Sequence, residues 1–184
     1  MSNRIQWTIE GPVNLLDLSH LLDVPHPSLV RSFSRFTANA APIKIESKPV
    51  TVPSILAGRM VKTYEISGLT ALAFLGLRGY CNFYSHKPIT LLWRSYMAPK
   101  AKHCDLMKSF GRFAAHFPQQ IKTREVTELN LRKTQAVKTL ELDPITLAAF
   151  NYYYNLGGRL PSALLSLGTA RTIESAENGA KGRD

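Results

Sequence analysis

The segment Arg4-Ile5-Gln6-Trp7-Thr8-Ile9-Glu10 alternates polar and apolar positions and stops at Gly11-Pro12, which predicts a half-buried strand. Asn14 is placed to cap a short helix carrying Leu15, Leu18, Leu21 and Leu22 on one face, and Pro25-His26-Pro27 breaks it. Pro27 suits the first turn of a second helix bearing Leu29, Val30, Phe33 and Phe36. Ile43 to Glu46 and Met60 to Ile66 read as strands, with Pro42, Pro49 and Pro53 pushing the first to a sheet edge. Leu69 to Leu77 is apolar but for Thr70 and reads as a buried helix or strand, a helix started by Gly68 being preferred. Ile89 to Tyr96 reads as β, and His103 to Phe117 as a helix with Met107, Phe110 and Ala114 on one side. Glu125 to Leu142 alternates in two runs and predicts a hairpin. Asp143-Pro144 is a strong helix start, and Gly157-Gly158 stops that helix. The sum is a single compact α+β domain over residues 1–168, mostly antiparallel sheet with several short helices. Residues 169–184 are rich in Ala, Gly, Glu and Asn and are expected to form a flexible tail. No internal repeat is evident at this level.

Composition adds the first functional constraint. Of 184 residues, 45% are apolar and 20% charged, which suits a folded globular domain. The 23 Lys and Arg against 13 Asp and Glu give a formal net charge of +10, which points to a polyanionic partner. The excess is concentrated. Residues 31–138 hold 18 basic side chains against five acids, while both flanks are slightly acidic. Two cysteines exclude a disulfide-dense scaffold and a four-cysteine zinc site, and both are expected to be reduced thiols. The start of the chain does not read as a secretory signal, and no apolar run is long enough to span a bilayer, so any membrane contact is expected to be peripheral.

The most basic stretch runs from Arg78 to Arg112. Arg78, Lys87, Arg94, Lys100, Lys102, Lys108 and Arg112 are the candidate contacts to a membrane or nucleic acid. Tyr80, Phe83, Tyr84, Trp93, Tyr96 and Phe110 are interleaved with them, either as stacking platforms or as core. Met97 to His103 reads as an exposed loop between a strand and a helix, with Lys100 and Lys102 beside the helix start. Gly76-Leu77-Arg78-Gly79 fits a G-x-x-G backbone clamp, but a turn ending a helix is the simpler reading. Cys81, His86, His103 and Cys104 are poorly spaced for zinc. The run His103-Cys104-Asp105 is no catalytic geometry, because adjacent side chains diverge. No nucleophile elbow, phosphate loop or dinucleotide fingerprint occurs. The expectation is a binding or assembly protein rather than an enzyme, with no cofactor, metal or small-molecule substrate.

Leu142-Asp143-Pro144 through Ala148-Ala149-Phe150-Asn151, followed by Asn155-Leu156-Gly157, resembles the helix near the C-terminus of bornavirus matrix proteins. In size and basicity the chain is also similar to the small matrix proteins of plant rhabdoviruses, including the dichorhavirus group. The resemblance covers Leu142 to Gly157, and the lysine-rich N-terminal arm and proline-rich late-budding motif of the animal rhabdovirus pattern are missing. It implies a virion structural protein that self-assembles into an oligomer or lattice. One side would contact anionic membrane peripherally and the other the viral nucleocapsid or RNA, in the host cytoplasm or nucleus. The alternative, from charge and aromatics alone, is a basic nucleic-acid-binding module of movement, silencing-suppressor, coat or ribosome-associated type.

Overall fold

The structure, a computed structural model, describes residues 4–54, 58–78, 83, 85–97 and 101–173. The fold is mixed α+β, with every strand pairing antiparallel. Strand β1 (Arg4–Thr8) pairs with the last strand, β8 (Thr169–Ile173). The expected tail boundary therefore moves. Residues 169–173 form a strand because the period-two segment at the chain start offers them a partner edge, and residues 174–184 lie outside the described part.

Between these strands the chain builds one unit twice. The first copy is β2 (Val13–Asn14), α1 (Leu15–Leu21), α2 (His26–Ala40), β3 (Ser47–Ser54), β4 (Arg59–Ile66) and α3 (Gly68–Leu77). The second is β5 (Ile89–Thr90), α4 (Leu91–Met97), α5 (His103–Ala114), β6 (Thr123–Asn130), β7 (Gln135–Leu142) and α6 (Pro144–Asn155). A short helix, α7 (Ser162–Leu165), then leads into β8. The sheets are ordered β2-β4-β3 and β5-β7-β6. Val13 and Ser47 both stand opposite Ile66, as Ile89 and Thr123 both stand opposite Leu142. This duplication corrects the reading of the sequence as repeat-free. The second copy carries one extra residue in the turn between its first two helices, residues 98–102 against 22–25.

Local chemistry explains each unit. Asn14 caps α1 by accepting from the Leu16 N–H at 2.8 Å, and the Thr90 hydroxyl accepts from the Trp93 N–H at 3.1 Å at the start of α4. Ser19 and Ser95 each donate to the carbonyl three residues back, Leu16 and Leu92. Ser67 caps α3 and Asp143 caps α6, bonding Thr70 and Thr146 respectively. Positive φ angles at Gly157 and Gly158 end the chain's run through α6. Two expected strands differ. Ile89 to Tyr96 is mostly helix α4, because the Thr90 cap and the burial of Leu91 and Leu92 override β propensity. The strand expected at Ile43 to Glu46 begins instead at Ser47, and it is an edge strand, which accommodates Pro49 and Pro53.

The core is one cluster drawing on both copies. Phe33, Phe36 and Phe74 meet in the first copy as Phe110, Phe113 and Phe150 meet in the second. The Phe33–Phe74 and Phe110–Phe150 ring centroids lie 5.4 and 5.3 Å apart, both edge to face. Helices α3 and α6 pack together across the centre. A Cβ on Gly76 would lie 2.6 Å from Tyr152 Cβ, and Gly76 and Tyr152 occupy equivalent positions in the two copies. Equivalent positions meet near a rotation axis, and because the contacts between the segments leading into each copy are reciprocal, Ile9 with His116 and His86 with Asn39, that axis is a pseudo-dyad. The segments leading into each copy cross over in the same sense. The Ile9 N–H donates to the His116 carbonyl at 2.9 Å, and the His116 ring meets the Trp7 carbonyl. In return the His86 ring meets the Asn39 carbonyl at 3.1 Å, and Phe83 packs on Phe36.

Candidate nucleic-acid interface

In each copy a two-turn helix is followed, after a connection of four or five residues, by a second helix and a long hairpin. The hairpin's second strand pairs with the short strand that opens the unit. That order and pairing matches the one a helix-turn-helix with a hairpin wing has. The second helices, α2 and α5, bury one side and expose the other. In α2, Leu29, Phe33, Phe36 and Ala40 face the core. In α5 the matching positions are Leu106, Phe110, Phe113 and, just beyond the helix, Phe117. The exposed side of α2 carries Ser28, Arg31, Ser34, Arg35 and Ala38. That of α5 carries Asp105, Lys108, Gly111, Arg112 and, one residue past the helix end, Ala115 at the matching places. Arg31 corresponds to Lys108 and Arg35 to Arg112. Both helices thus present two cations one turn apart, and α2 holds no acid at all.

The second helix is fixed to its wing by one repeated bond. His26 Nε2 lies 3.0 Å from the Thr63 hydroxyl on β4, and His103 Nε2 lies 3.0 Å from the Thr139 hydroxyl on β7. Thr63 and Thr139 are buried, and Thr139 also accepts from the Leu92 N–H at 3.1 Å. The second wing is held further at its tip. Tyr96 on α4 accepts from the Leu131 N–H at 2.9 Å, and Arg132 lies over its ring at 5.2 Å. Exposed Lys48, Arg59 and Lys62 line the first hairpin and Arg132 and Lys133 the tip of the second. Lys138 and Arg124 also lie on the second hairpin, where they pair with Glu125 and Glu141.

Burial is the main cause that lowers the pKa of His26 below 6.5, with His20 adding to it. Burial likewise lowers that of His103, against a smaller opposing pull from Glu128. The folded state therefore favours the neutral rings, and below pH 6.5 the unfolded chain binds more protons than the folded one. Stability is full above that pH and declines as pH falls through it toward the lowered folded values. Denaturation in urea is expected at a higher midpoint at pH 7.5 than at pH 5.5. The gap should narrow in a His26→Gln, His103→Gln variant, in which the amide keeps a partner for each threonine. An unchanged gap would mean these rings do not carry the pH effect.

The basic residues singled out from sequence divide between the copies. Lys102 precedes α5, and Lys108 and Arg112 lie on its exposed side, so these three follow one another along one element. Arg78, exposed at the end of α3, instead lines a dent beside Arg35 and Asn39 in the first copy. Lys87 is exposed in the loop before β5. Arg94 is half-buried on α4, and its Nε donates to Asn151 Oδ1 at 2.7 Å. Lys100 lies outside the described residues, as do Tyr80, Cys81 and Tyr84. The segment Met97 to His103, expected to join a strand to a helix, instead joins two helices, and residues 98–100 lie outside the described part. Of Gly76 to Gly79, read as a turn ending a helix, Gly76 and Leu77 are the last residues of α3, where Gly76 admits Tyr152, Arg78 follows the helix end, and Gly79 is outside the described part. Phe83 and Phe110 are core, whereas Trp93 is 49% exposed. Arg31 and Arg35 were not singled out by the charge pattern. The alignment of the two copies is the signal that finds them.

No helix among the described residues is long and apolar enough to cross a membrane. No protein-family model matches this chain, and no curated protein or solved structure does.

Proposed function

We propose that this protein binds double-stranded DNA through two helix-turn-helix units, with α2 and α5 as the helices that enter the major groove. The observation that carries this reading is the same cation pair, Arg31 with Arg35 and Lys108 with Arg112, on the exposed side of the second helix of both copies. Side chains spaced one turn apart on a groove-sized helix reach base edges and flanking phosphates together. The hairpin cations Lys48, Arg59, Lys62 and Lys133 would add backbone contacts, which position the protein without reading sequence. The net charge of +10 supplies the long-range attraction. Between the two expectations drawn from the sequence, this geometry favours nucleic acid over a membrane-bridging lattice. It requires no catalytic group and no cofactor.

Titration of nuclease-treated protein against a labelled 30-base-pair duplex tests the proposal. Single-stranded RNA of equal charge and vesicles containing an anionic lipid serve as competitors. The expected result is that unlabelled duplex displaces the probe at a concentration at least about tenfold below either competitor, a difference of about 1.4 kcal/mol. Equal displacement by RNA, or tighter capture by vesicles with growth into large assemblies, would overturn it. The latter would favour the matrix-type reading.

A further inference from the structure

The pseudo-dyad and the differences between α2 and α5 carry an inference that rests on the duplex-binding proposal. We propose that a single chain reads two half-sites of one duplex in inverted orientation, and that Asp105 imposes a cytosine preference on one of them. The orientation follows from symmetry. Units strung head to tail meet through unlike surfaces, and would read direct repeats. Here the contacts are reciprocal: Gly76 meets its own counterpart Tyr152, residues before the first unit cross to His116, and residues before the second cross to Asn39. Both crossings end just past or near the C-terminal end of a second helix, so each unit braces the other's candidate reading helix. Two readers related by a two-fold axis meet a duplex in mirrored strand polarity, which is why two-fold dimers favour near-palindromes. In this chain the axis is internal, so one molecule supplies both halves.

The halves are not equal. Arg31 and Lys108, Arg35 and Arg112, and Ala38 and Ala115 match in charge or size, which predicts related half-sites. Ser28, however, is replaced by Asp105, and Ser34 by Gly111, all exposed. A serine hydroxyl donates or accepts and tolerates several base edges. An aspartate accepts only, and the major-groove donor it suits best without a competing acceptor is the cytosine amino group. The half-site under α5 therefore carries a cytosine preference that the half-site under α2 lacks.

Selection from a pool of random duplexes by the full chain, followed by stoichiometric titration of the winning duplex, tests this. Two related blocks in inverted orientation are expected, their centres about 10 base pairs or a multiple apart, saturated by one chain. Asp105→Asn should erase the cytosine preference in one block and leave the other intact. Arg31→Ala with Arg35→Ala should blur the opposite block, with about 30-fold weaker binding. Blocks in the same orientation, or saturation by two chains on a single block, would overturn the inverted reading while leaving duplex binding standing. An unchanged selected sequence for Asp105→Asn would overturn its assignment. If no duplex were retained at all, the duplex-binding proposal itself would fall, and this inference with it.

Discussion

Replacing Arg31, Arg35, Lys108 and Arg112 together by alanine is expected to weaken duplex DNA binding by about 10³-fold, close to 4 kcal/mol. The figure follows from ordinary magnitudes. A cation that bridges a base edge contributes on the order of 1–3 kcal/mol, and one that meets only phosphate contributes less. Four such losses do not add fully, because the remaining hairpin lysines still hold the backbone. Each of the four is exposed, so the variant should keep wild-type stability to within about 0.5 kcal/mol. A thermal melt makes that check. Replacing Lys44 and Lys122, which are exposed and lie off the second helices, by alanine changes the net charge by half as much and should cost far less than half the effect. Equal loss per charge removed, wherever the charge sits, would show that only net charge attracts the DNA.

Gly76→Val should be strongly destabilising. A Cβ at this position would lie 2.6 Å from Tyr152 Cβ and 2.8 Å from Tyr152 Cγ, so α3 and α6 must move apart. Overpacking of this kind costs about 1–3 kcal/mol, and the spreading also loosens the burial of neighbours such as Phe74 and Phe150. Removing a glycine from a helix interior returns less than about 1 kcal/mol, and valine recovers little of that. A net loss of about 3 kcal/mol is expected in urea denaturation. The double variant Gly76→Val, Tyr152→Gly removes both clashing atoms, so its loss should fall short of the two single losses summed by about 1 kcal/mol or more. Simple additivity would mean that positions 76 and 152 do not meet, and would remove the dyad contact.

Much of the fold was legible in the sequence where the chemistry is local. Asn14, Asp143-Pro144 and Gly157-Gly158 mark helix ends by hydrogen bonds and φ angles that depend on a few adjacent residues. The hairpin of β6 and β7 showed as alternation because one face is half-buried. The duplication was hidden for a physical reason. The positions that match, such as Leu15 with Leu91, Phe33 with Phe110 and Phe74 with Phe150, are core positions, where any globular chain places leucine and phenylalanine. Equivalent segments also read differently. Asn14 announces a helix, while Ile89-Thr90-Leu91-Leu92-Trp93 has the β-branched and aromatic character of a strand. The extra residue between α4 and α5 then shifts the register. The interface was half legible. Lys102, Lys108 and Arg112 belong to a visible basic run, but Arg31 and Arg35 are the only Lys or Arg in α2 and stand out only against their counterparts.

The dependence of duplex affinity on salt tests the central claim most directly, comparing the wild-type chain with the four-alanine variant. Each phosphate neutralised adds about 0.9 to the slope of log affinity against log salt. If α2 and α5 lie in the groove, the wild-type slope should exceed that of the variant by about 2–4, the upper end applying if all four cations meet phosphate. Equal slopes would place these four side chains away from the DNA and contradict the account.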